Sequence, residues 1–463
     1  MFLKQFFIDG LGCESYLIAD EVAKVATVID PDRDVSQYVD AAAQHGFTIT
    51  HIIETHLHAD HVSGNTDLAQ RTNAKIYIHE AAQAEFPHEI LKDGDVLNIG
   101  ALQIRVMHTP GHTPDSVTLL IIDPAKSKEP AAALTGDTLF AGDVGRPDLV
   151  GQSVAREMAS QLYDSLFDSV LKLDDALTVY PGHGVGSLCG RSLSDARYTT
   201  IGAELATNPA LRYTDREEFV HDLTTNVREQ PRNHRTIKSM NHEGPKPLGK
   251  IEDRPLSIQQ AIPNFERGAA LLDVRPHDSY VAAHVPGGVH IIADDQLSSR
   301  IGLVLPPEVR IVILKDEDQD YPDIVLRLAR VGYEDITGYL KGGIEEWESS
   351  GLPVTSGDVE DITPSQLYEM LQGDDSKPIV VDVRELWEYR MGRVPDAVLI
   401  PLGDLDDRAG ELDPEQPVAL ICHSGVRSLS AAALLGSKGF KKMYNVAGGT
   451  EAWMQQGLPF EQE

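Results

Sequence analysis

The sequence predicts a multidomain protein of mixed α/β and α+β class, in which one larger N-terminal domain precedes two smaller α/β domains. Its 463 residues are enough for about three domains of ~150 residues, and its 41% hydrophobic content is enough for packed cores. Short β-branched runs alternate with helical segments through about residue 245, which indicates mixed strands and helices. The chain then repeats itself at a spacing of just over 100 residues.

The N-terminal domain is predicted over residues 1–250. The runs VATVID, KIYIH, LQIRVM, SVTLLII and ALTVYPGH predict strands, and DVSQYVDAAAQHG predicts a helix. Two polar helices are expected within residues 191–230. The stretch RNHRTIKSMNHEGPKPLGKIEDRP is rich in proline, glycine and charge, so it predicts a loop or linker that ends the domain near residue 250.

The C-terminal half contains two copies of one α/β unit. The segment LLDVRPHDSYVAAHVPGGVHI matches VVDVRELWEYRMGRVPDAVLI, and GYLKGGIEEWESSGLPV matches YNVAGGTEAWMQQGLPF. The two copies join near GLPVTSGDVEDITPS, where Thr363 is typical of a helix N-terminus. The copies are therefore predicted over residues 255–355 and 360–463.

Charge and composition exclude several classes of partner. The chain has 40 basic and 72 acidic residues, a net charge of 40 − 72 = −32, which would repel nucleic acid and anionic membrane surfaces. It has no apolar run of 18 residues and no signal-peptide pattern at its start, so a cytoplasmic location is expected. Only three cysteines occur, far apart, which argues against a disulfide framework and directs attention to thiol chemistry.

The segment THLHADH, residues 55–61, carries the strongest signal of ligand chemistry. With 17 histidines in the chain, this pattern would arise by chance on the order of once in a thousand such sequences. The preceding FTITHIIE predicts a buried strand, which places the motif on the loop at its end. Further ligand-type residues follow strand-like runs in HTPGHTPDS, LTGDTLF and VYPGHG. The complete set of candidate ligands is His56, His58, Asp60, His61, His112, Asp137 and His183.

This order and spacing resembles the metallo-β-lactamase superfold over about residues 1–245, which implies a four-layer αββα sandwich with metal bound at the strand ends. Two chemistries within that superfold compete. Similarity to glyoxalase II-like hydrolases implies two zinc ions and a metal-activated hydroxide that attacks a thioester, with Asp137 bridging the ions. The second ion would then be held by Asp60, His61 and His183.

Similarity to ETHE-type persulfide dioxygenases instead implies one Fe(II) per chain, held by His56, His112 and Asp137. Two imidazoles and a carboxylate leave three iron positions open for O2 and a sulfur anion, whereas zinc has no redox chemistry. Because the sequence contains the ligands of both sites, ligand types alone leave the choice open. Arg146 is a candidate persulfide contact, and Cys189, six residues beyond His183, is either a small buried packing residue or a second such contact.

The segment LICHSGVRSLSAAALL places Cys422 between a predicted strand and a predicted helix. Backbone N–H groups curled around the sulfur, the helix N-terminus and the guanidinium of Arg427 would together favour a thiolate and a bound persulfide. We therefore expect Cys422 and Arg427 to be catalytic. The loop residues expected to line the bound sulfur are His423, Ser424, Gly425 and Val426.

With DVRE at 382–385 and AGGTEAW at 447–453, the second repeat resembles the rhodanese sulfurtransferases. Four residues separate Cys422 from Arg427, whereas related phosphatase loops have five, so phosphate would fit poorly. Arg393 stands where the family usually has histidine, a departure with no catalytic consequence that we identify.

The first repeat has Lys315 at the position that matches Cys422, so we expect it to be an inactive rhodanese with a structural or oligomer-forming role. Its Asp273 and Arg275 would then serve only the fold. The acids that follow the lysine would repel a persulfide anion. These acids are Asp316, Glu317, Asp318 and Asp320.

A rhodanese beside a metal domain favours sulfur chemistry over thioester hydrolysis. The whole arrangement resembles bacterial multidomain persulfide dioxygenase/sulfurtransferases, which implies sulfide detoxification by oxidation of a thiol persulfide to sulfite and sulfur transfer to give thiosulfate. The substrate would be a persulfide of glutathione, coenzyme A or a similar thiol, used with O2, and the protein would form a homo-oligomer. The alternatives are a binuclear zinc hydrolase with an attached sulfurtransferase and a non-catalytic persulfide carrier or sensor.

Overall fold

The computed structural model describes residues 1–463 apart from residues 9, 186, 188, 191–192, 214, 226–229, 357–358, 374–376 and 463. The chain divides into two units. The first comprises Met1–Gln230, His234–Lys250 and Ala329–Gly332, and the second comprises Pro231–Asn233, Ile251–Leu328 and Tyr333–Glu463.

The first unit contains two sheets flanked by helices. Its strands are β1 (Phe2–Ile8), β2 (Cys13–Asp20), β3 (Val25–Ile29), β4 (Thr48–Ile53), β5 (Lys75–His79), β6 (Glu89–Leu91), β7 (Val96–Ile99), β8 (Leu102–His108), β9 (Val117–Ile122), β10 (Ala132–Gly136), β11 (Thr178–Pro181) and β12 (Thr199–Thr200). Its α-helices are α1 (Ser36–His45), α2 (Asn65–Thr72), α3 (Ala155–Asp164), α4 (Ile201–Thr207), α5 (Arg216–Thr224) and α6 (His234–Glu243). Shorter helical turns lie at Glu80–Ala82, Ser165–Ser169, Val170–Lys172 and Pro209–Leu211.

The two sheets have six strands each, in the orders β1-β2-β3-β4-β5-β6 and β12-β11-β10-β9-β8-β7. Side chains alternate between the two faces of a strand, so Ile18 of β2 packs with Ile104 and Leu119 between the sheets. Leu17, the next residue along, packs on the outer face with Tyr38 of α1. Burial on both faces explains the continuous apolar runs, and the predicted four-layer αββα sandwich is confirmed.

The predicted strands and the predicted helix of this unit are present. The helix expected from DVSQYVDAAAQHG is α1, which ends at Gly46 with φ 67°. Glycine suits this left-handed position because a Cβ would be strained there. The prediction of a loop or linker after residue 231 was wrong in part, because α6 occupies its first half. Buried Ile237 and Asn241 anchor this polar helix, so tertiary packing outweighs its loop-like composition.

The second unit contains the two repeats. Its strands are β13 (Pro255–Leu256), β14 (Ala270–Asp273), β15 (Val289–His290), β16 (Ile311–Leu314), β17 (Ile336–Leu340), β18 (Val359–Ile362), β19 (Ile379–Asp382), β20 (Val398–Leu399), β21 (Val418–Ile421) and β22 (Met443–Val446). Its α-helices are α7 (Ile258–Phe265), α8 (His277–Ala282), α9 (Leu297–Val304), α10 (Tyr321–Ala329), α11 (Gly343–Ser349), α12 (Pro364–Gln372), α13 (Leu386–Met391), α14 (Leu405–Arg408), α15 (Arg427–Ser437) and α16 (Gly449–Gln455). A 3-10 turn lies at Ala409–Glu411.

Each repeat forms a five-stranded parallel sheet, and the strand orders β13-β17-β16-β14-β15 and β18-β22-β21-β19-β20 correspond one to one. Equivalent indoles close both cores: Trp347 donates to the carbonyl of Pro353, and Trp453 donates to that of Pro459. The internal repeat predicted from the sequence is therefore confirmed. Among the described residues, no helix has the length and apolar character needed to cross a membrane.

Candidate metal centre and cysteine loop

The candidate ligands of the first unit lie beyond the C-terminal ends of four strands. THLHADH follows β4, His112 follows β8, Asp137 follows β10 and His183 follows β11. Because these strands lie in two facing sheets, their ends bring residues far apart in sequence to one buried place.

His56, His112 and Asp137 form one group, with potential ligand atoms within 4.8 Å of one another and every side chain buried. Asp137 Oδ2 lies 3.2 Å from His112 Nε2 and 3.9 Å from His56 Nε2. Neither His112 Nε2 nor Asp137 Oδ2 has a hydrogen-bond partner. Buried polar atoms without partners are costly, and a cation among these three side chains would satisfy them.

The second ring nitrogen of each histidine is held by the surrounding protein. His112 Nδ1 contacts the carbonyl oxygen of Arg146 at 2.9 Å, so it carries the proton and leaves Nε2 with a lone pair. His56 Nδ1 lies 3.0 Å from Thr55 Oγ1, whose own proton goes to Asp30 Oδ2. Both imidazoles therefore direct Nε2 lone pairs towards the group, as metal ligation requires.

Electrostatics keep this group in its ligating protonation states. Burial lowers the pKa of His56 and His112, so both rings are neutral. Burial by itself would raise the pKa of Asp137, but the nearby charge of His183 outweighs it and lowers that pKa. Two neutral imidazoles and one carboxylate therefore face one point.

His58 belongs to a different buried group. Its Nε2 lies 3.3 Å from Asp30 Oδ1 and 3.3 Å from Glu54 Oε2, distances that suit ion pairs without hydrogen-bond geometry. Burial would lower the pKa of His58, but Asp30 and then Glu54 raise it well above its usual value. A protonated imidazole cannot ligate a cation, although this ring lies only 4.2 Å from that of His56.

The remaining candidates meet a cysteine that the sequence reasoning missed. Cys13, Asp60, His61 and His183 are buried within ligand distance of one another, and Cys13 Sγ lies 3.1 Å from Asp60 Oδ2. His183 Nε2 contacts Asp60 Oδ2 and its Nδ1 contacts Asp137 Oδ1, both at 2.7 Å. Both ring nitrogens of His183 are thus engaged by carboxylates. Burial would lower the pKa of His183, but Asp137, followed by Cys189 and Asp60, raises it well above its usual value.

Arg146 contacts His112 through its backbone carbonyl, and Cys189 is a buried free thiol beside Asp137 and His183. The Arg146 guanidinium donates to both oxygens of Asp148 at 2.7 Å. Cys189 shares a buried cluster with Asp137 and His183, and burial raises the pKa of its thiol to about 12 despite the nearby His183.

A second residue missed from the sequence is Asn241 of α6. Its side-chain amide donates to the carbonyl oxygens of His58 and His61, both at 2.8 Å, and accepts from the backbone N–H of Ser63 at 2.9 Å. One buried amide thereby fixes the backbone of the histidine motif from about 180 positions further along the chain.

Cys422 lies in the second unit between β21 and α15, as predicted. Its thiol is 1% exposed and accepts from the backbone N–H of Gly425 at 3.1 Å. Ser428 Oγ lies 3.5 Å from the sulfur. His423 and Ser424 are exposed at the mouth of the loop. A donor N–H and a helix start facing the sulfur favour negative charge there.

Arg427 is paired with a carboxylate that the sequence reasoning did not identify. Its Nη1 and Nη2 donate to Glu388 of α13 at 2.8 and 2.6 Å. Burial would raise the pKa of Glu388, but hydrogen bonding and charge from Arg427 outweigh it and lower that pKa. The positive charge predicted beside Cys422 is therefore present and largely balanced by this partner.

Comparison with known proteins matches the architecture described above. The metallo-beta-lactamase superfamily model matches residues 8–183, and the rhodanese-like domain model matches residues 257–350 and 363–456. A metallo-beta-lactamase structure from Staphylococcus aureus is 31% identical, with a TM-score of 0.65, and its match covers 73% of this chain and 98% of that one. The chain belongs to the metallo-β-lactamase superfamily. Its metallo-β-lactamase domain is followed by two rhodanese domains.

Other relatives match 40–52% of this chain. A probable metallo-hydrolase of Burkholderia pseudomallei is 34% identical over 44% of this chain and 79% of its own length. A hydroxyacylglutathione hydrolase of Francisella tularensis subsp. novicida is 34% identical over 40% of this chain and 68% of its own. The structure of ETHE1 from Myxococcus xanthus is 31% identical, with a TM-score of 0.46, and its match covers 52% of this chain and 98% of that one.

The first rhodanese domain has Lys315 directly after β16, the strand equivalent to β21. Its ammonium donates to the backbone carbonyl of Asp316 at 3.0 Å and lies 4.8 Å from the ring of Tyr339. The Gln319 side chain closes the loop by accepting from Asp316 N–H and donating to the Val274 carbonyl. Hydrogen bonds within this loop and to Val274 therefore hold it closed, and residues 315–320 include no cysteine or methionine.

Gly449 packs directly beneath the Cys422 loop of the second rhodanese domain. Its φ is 57°, and a Cβ there would lie 2.2 Å from the carbonyl oxygen of Cys422 and 2.4 Å from that of His423. Gly457 has a similar φ of 66° but open space around it. The two glycines thus share the backbone strain that an alanine would bring and differ in steric contact.

We predict that Gly449→Ala displaces the loop, lowers the free energy of unfolding by about 2–3 kcal/mol and slows alkylation of Cys422. Gly457→Ala, the matched control, should cost only about 1 kcal/mol and leave alkylation unchanged. Thermal unfolding and mass spectrometry of the Cys422 peptide provide the measurements. Equal effects of the two substitutions would contradict the steric argument.

Proposed function

We propose that the metallo-β-lactamase domain is a mononuclear non-haem iron dioxygenase that oxidises a low-molecular-weight thiol persulfide to sulfite and thiol. We further propose that the second rhodanese domain transfers sulfane sulfur through Cys422 and gives thiosulfate. The observation that carries the first assignment is that His56, His112 and Asp137 present ligand atoms to one point, those of His112 and Asp137 unpartnered, whereas the other candidate histidines are engaged by carboxylates. His58 is engaged by Asp30 and Glu54, and both nitrogens of His183 are engaged by carboxylates.

The donor set fits Fe(II). Two histidines and one carboxylate on one face leave open positions, and Fe(II) held in this way supplies the redox chemistry with O2 that zinc lacks. The persulfide RSSH, O2 and water would give RSH, sulfite and two protons, with the outer sulfur oxidised and O2 reduced.

The residues of this chain hold the site in place. Arg146, through its carbonyl, and Thr55 keep the two histidines in the ligating tautomer. His183 binds Asp137 Oδ1 and leaves Oδ2 directed at the histidines. Burial of the whole group keeps bulk water from a reactive sulfur intermediate.

Sulfur transfer follows from the Cys422 loop. The Cys422 thiolate attacks the outer sulfur of RSSH, the donor S–S bond breaks, a cysteine persulfide anion forms and RSH leaves with the proton. Sulfite then takes the outer sulfur as thiosulfate and the thiolate is restored. The Gly425 N–H, 3.1 Å from the sulfur, stabilises the anion in both forms.

A second candidate function is binuclear metal-dependent thioester hydrolysis. The buried group of Cys13, Asp60, His61 and His183 beside Asp137 favours it, as does the similarity to a hydroxyacylglutathione hydrolase. A second metal ion would have to displace the two carboxylate contacts of His183. Metal stoichiometry therefore distinguishes the two functions.

Asp137→Ala should lower iron from about one ion per chain to near zero and abolish O2 uptake with glutathione persulfide, because the only carboxylate of the three-residue set is lost. Sulfur transfer from thiosulfate to cyanide should persist, since Cys422 lies in the other unit. Metal analysis of protein purified without chelators and an oxygen electrode give the readouts.

The matched control is Asp60→Asn, which keeps the side-chain size and removes a ligand needed only for a second ion. Iron content should stay near one per chain in this variant. Two metal ions in the wild type and one in Asp60→Asn, with thioester hydrolysis, would support the hydrolase instead.

Cys422→Ser should lower sulfur transfer at least about 10³-fold, because a hydroxyl is hardly ionised near neutral pH. O2 uptake should continue at a similar rate, and sulfite should accumulate where the wild type yields thiosulfate. Early time points are compared, since sulfite and persulfide also react slowly without enzyme. Thiosulfate formed as fast as by the wild type would exclude Cys422 as the sulfur carrier.

Lys315→Ala changes the equivalent position of the first rhodanese domain, which we propose is catalytically inactive. Both activities should stay within about twofold of wild type, because no nucleophile is removed. The same two assays measure this. A large fall in sulfur transfer would show that the first rhodanese domain takes part in the reaction directly.

A further inference from the structure

A line of polar side chains runs from Cys422, in the interior of the second rhodanese domain, to the exposed Asp361. Ser428 Oγ lies 3.5 Å from the sulfur and donates to Asn445 Oδ1 at 2.6 Å. Asn445 Nδ2 in turn donates to Asp361 Oδ1 at 2.7 Å. Asp361 and Asn445 are register partners in the parallel pair of β18 and β22, which explains their contact. Cys422, Ser428 and Asn445 are all at most 3% exposed.

The far end of this line reaches the first rhodanese domain. The other oxygen of Asp361, Oδ2, lies 2.6 Å from Nε2 of His277, the first residue of α8. Both rhodanese domains belong to the same unit, and α15, which carries Ser428, packs against β15 and α9 of the first domain. The His277–Asp361 contact itself is partly exposed, with side-chain exposures of 19% and 43%.

The donors and acceptors that each group offers determine which atom donates at every contact along this line. An ionised Asp361 accepts only, so the Asn445 amide must turn its NH2 towards it and its oxygen towards Ser428. The single hydroxyl proton of Ser428 then goes to Asn445, so in the thiol form of Cys422 the Ser428 oxygen accepts from the S–H group. Reversing the amide would place its oxygen 2.7 Å from a carboxylate oxygen, where two acceptors repel each other.

We propose that the first rhodanese domain, which has no cysteine in its loop, positions the sulfur carrier of the second. His277 holds the Asp361 carboxylate, Asp361 fixes the Asn445 amide, and Asn445 fixes Ser428 against Cys422. His277 is thus a positioning residue that acts through three others and touches no substrate. The proposal rests on the assignment of Cys422 as the sulfur carrier.

The test uses the full-length protein and sulfur transfer from thiosulfate to cyanide. His277→Ala should lower kcat roughly 3- to 10-fold, with KM for thiosulfate within about twofold of wild type. His277→Gln retains an N–H donor and should restore most of the loss. Ser279→Ala is the matched control, since it removes a hydrogen bond from the same helix to Asp316, within the first domain, and should leave kcat unchanged.

A double-mutant cycle distinguishes an effect of His277 that passes through Ser428 from a general loss of packing between the two domains. If His277 acts through Ser428, then His277→Ala together with Ser428→Ala should lower kcat no further than the larger single effect. Effects that multiply, a wild-type kcat in His277→Ala, or an equal fall in Ser279→Ala would each overturn the proposal. Should His277→Ala fail to fold, Asp361→Asn replaces it, because an amide has one acceptor oxygen for two donors. A wild-type kcat in that variant is equally decisive against the proposal.

Failure of the proposed function gives a different result. A wild type without any sulfur transfer would refute Cys422 as a carrier. Alkylation of the Cys422 peptide by iodoacetamide needs no sulfur donor and still reports on the line of side chains. His277→Ala and Ser428→Ala should then change the alkylation rate in the same direction by at least about threefold. Wild-type rates in His277→Ala would overturn the positioning role itself.

Discussion

The carboxylate of Asp137 is the group on which the metallo-β-lactamase domain depends. It is buried, so its negative charge persists only because histidines surround it. One oxygen contacts His183 and the other faces His56 and His112, so this one side chain joins two neighbouring clusters. A buried charge compensated in this way fixes the relative positions of the strand ends that carry the histidines.

Much of the architecture could be predicted because its signals are local or periodic. The β-branched runs, the α1 pattern and the internal repeat each appear within a short window or as a direct match between two windows. The placement of THLHADH after β4 and of Cys422 between β21 and α15 follows from the same local patterns. These parts of the fold and of both candidate sites needed no knowledge of long-range contacts.

The remaining features depend on contacts between distant residues. Cys13 neighbours His183 because the first residue of β2 forms an antiparallel bridge with His183, which follows β11, and nothing near Cys13 in sequence indicates this contact. Asn241 lies in a segment whose composition favours a loop, yet α6 forms because it packs on the histidine motif. No sequence pattern indicates Glu388, because its pairing with Arg427 joins two helices from residues 39 positions apart.

The two rhodanese domains share their fold and a buried Asp–Arg contact, yet differ in the residue that follows the central strand. In both, an aspartate at the end of a strand binds the arginine two positions later, and that arginine donates to a backbone carbonyl beyond the next helix. The frame is thus the same, whereas the loop after the central strand holds Lys315 in one domain and Cys422 in the other. Fold and chemistry are therefore specified by different residues. The two domains are also joined by packing, because α15, the helix that follows the Cys422 loop, rests against β15 and α9 of the first domain.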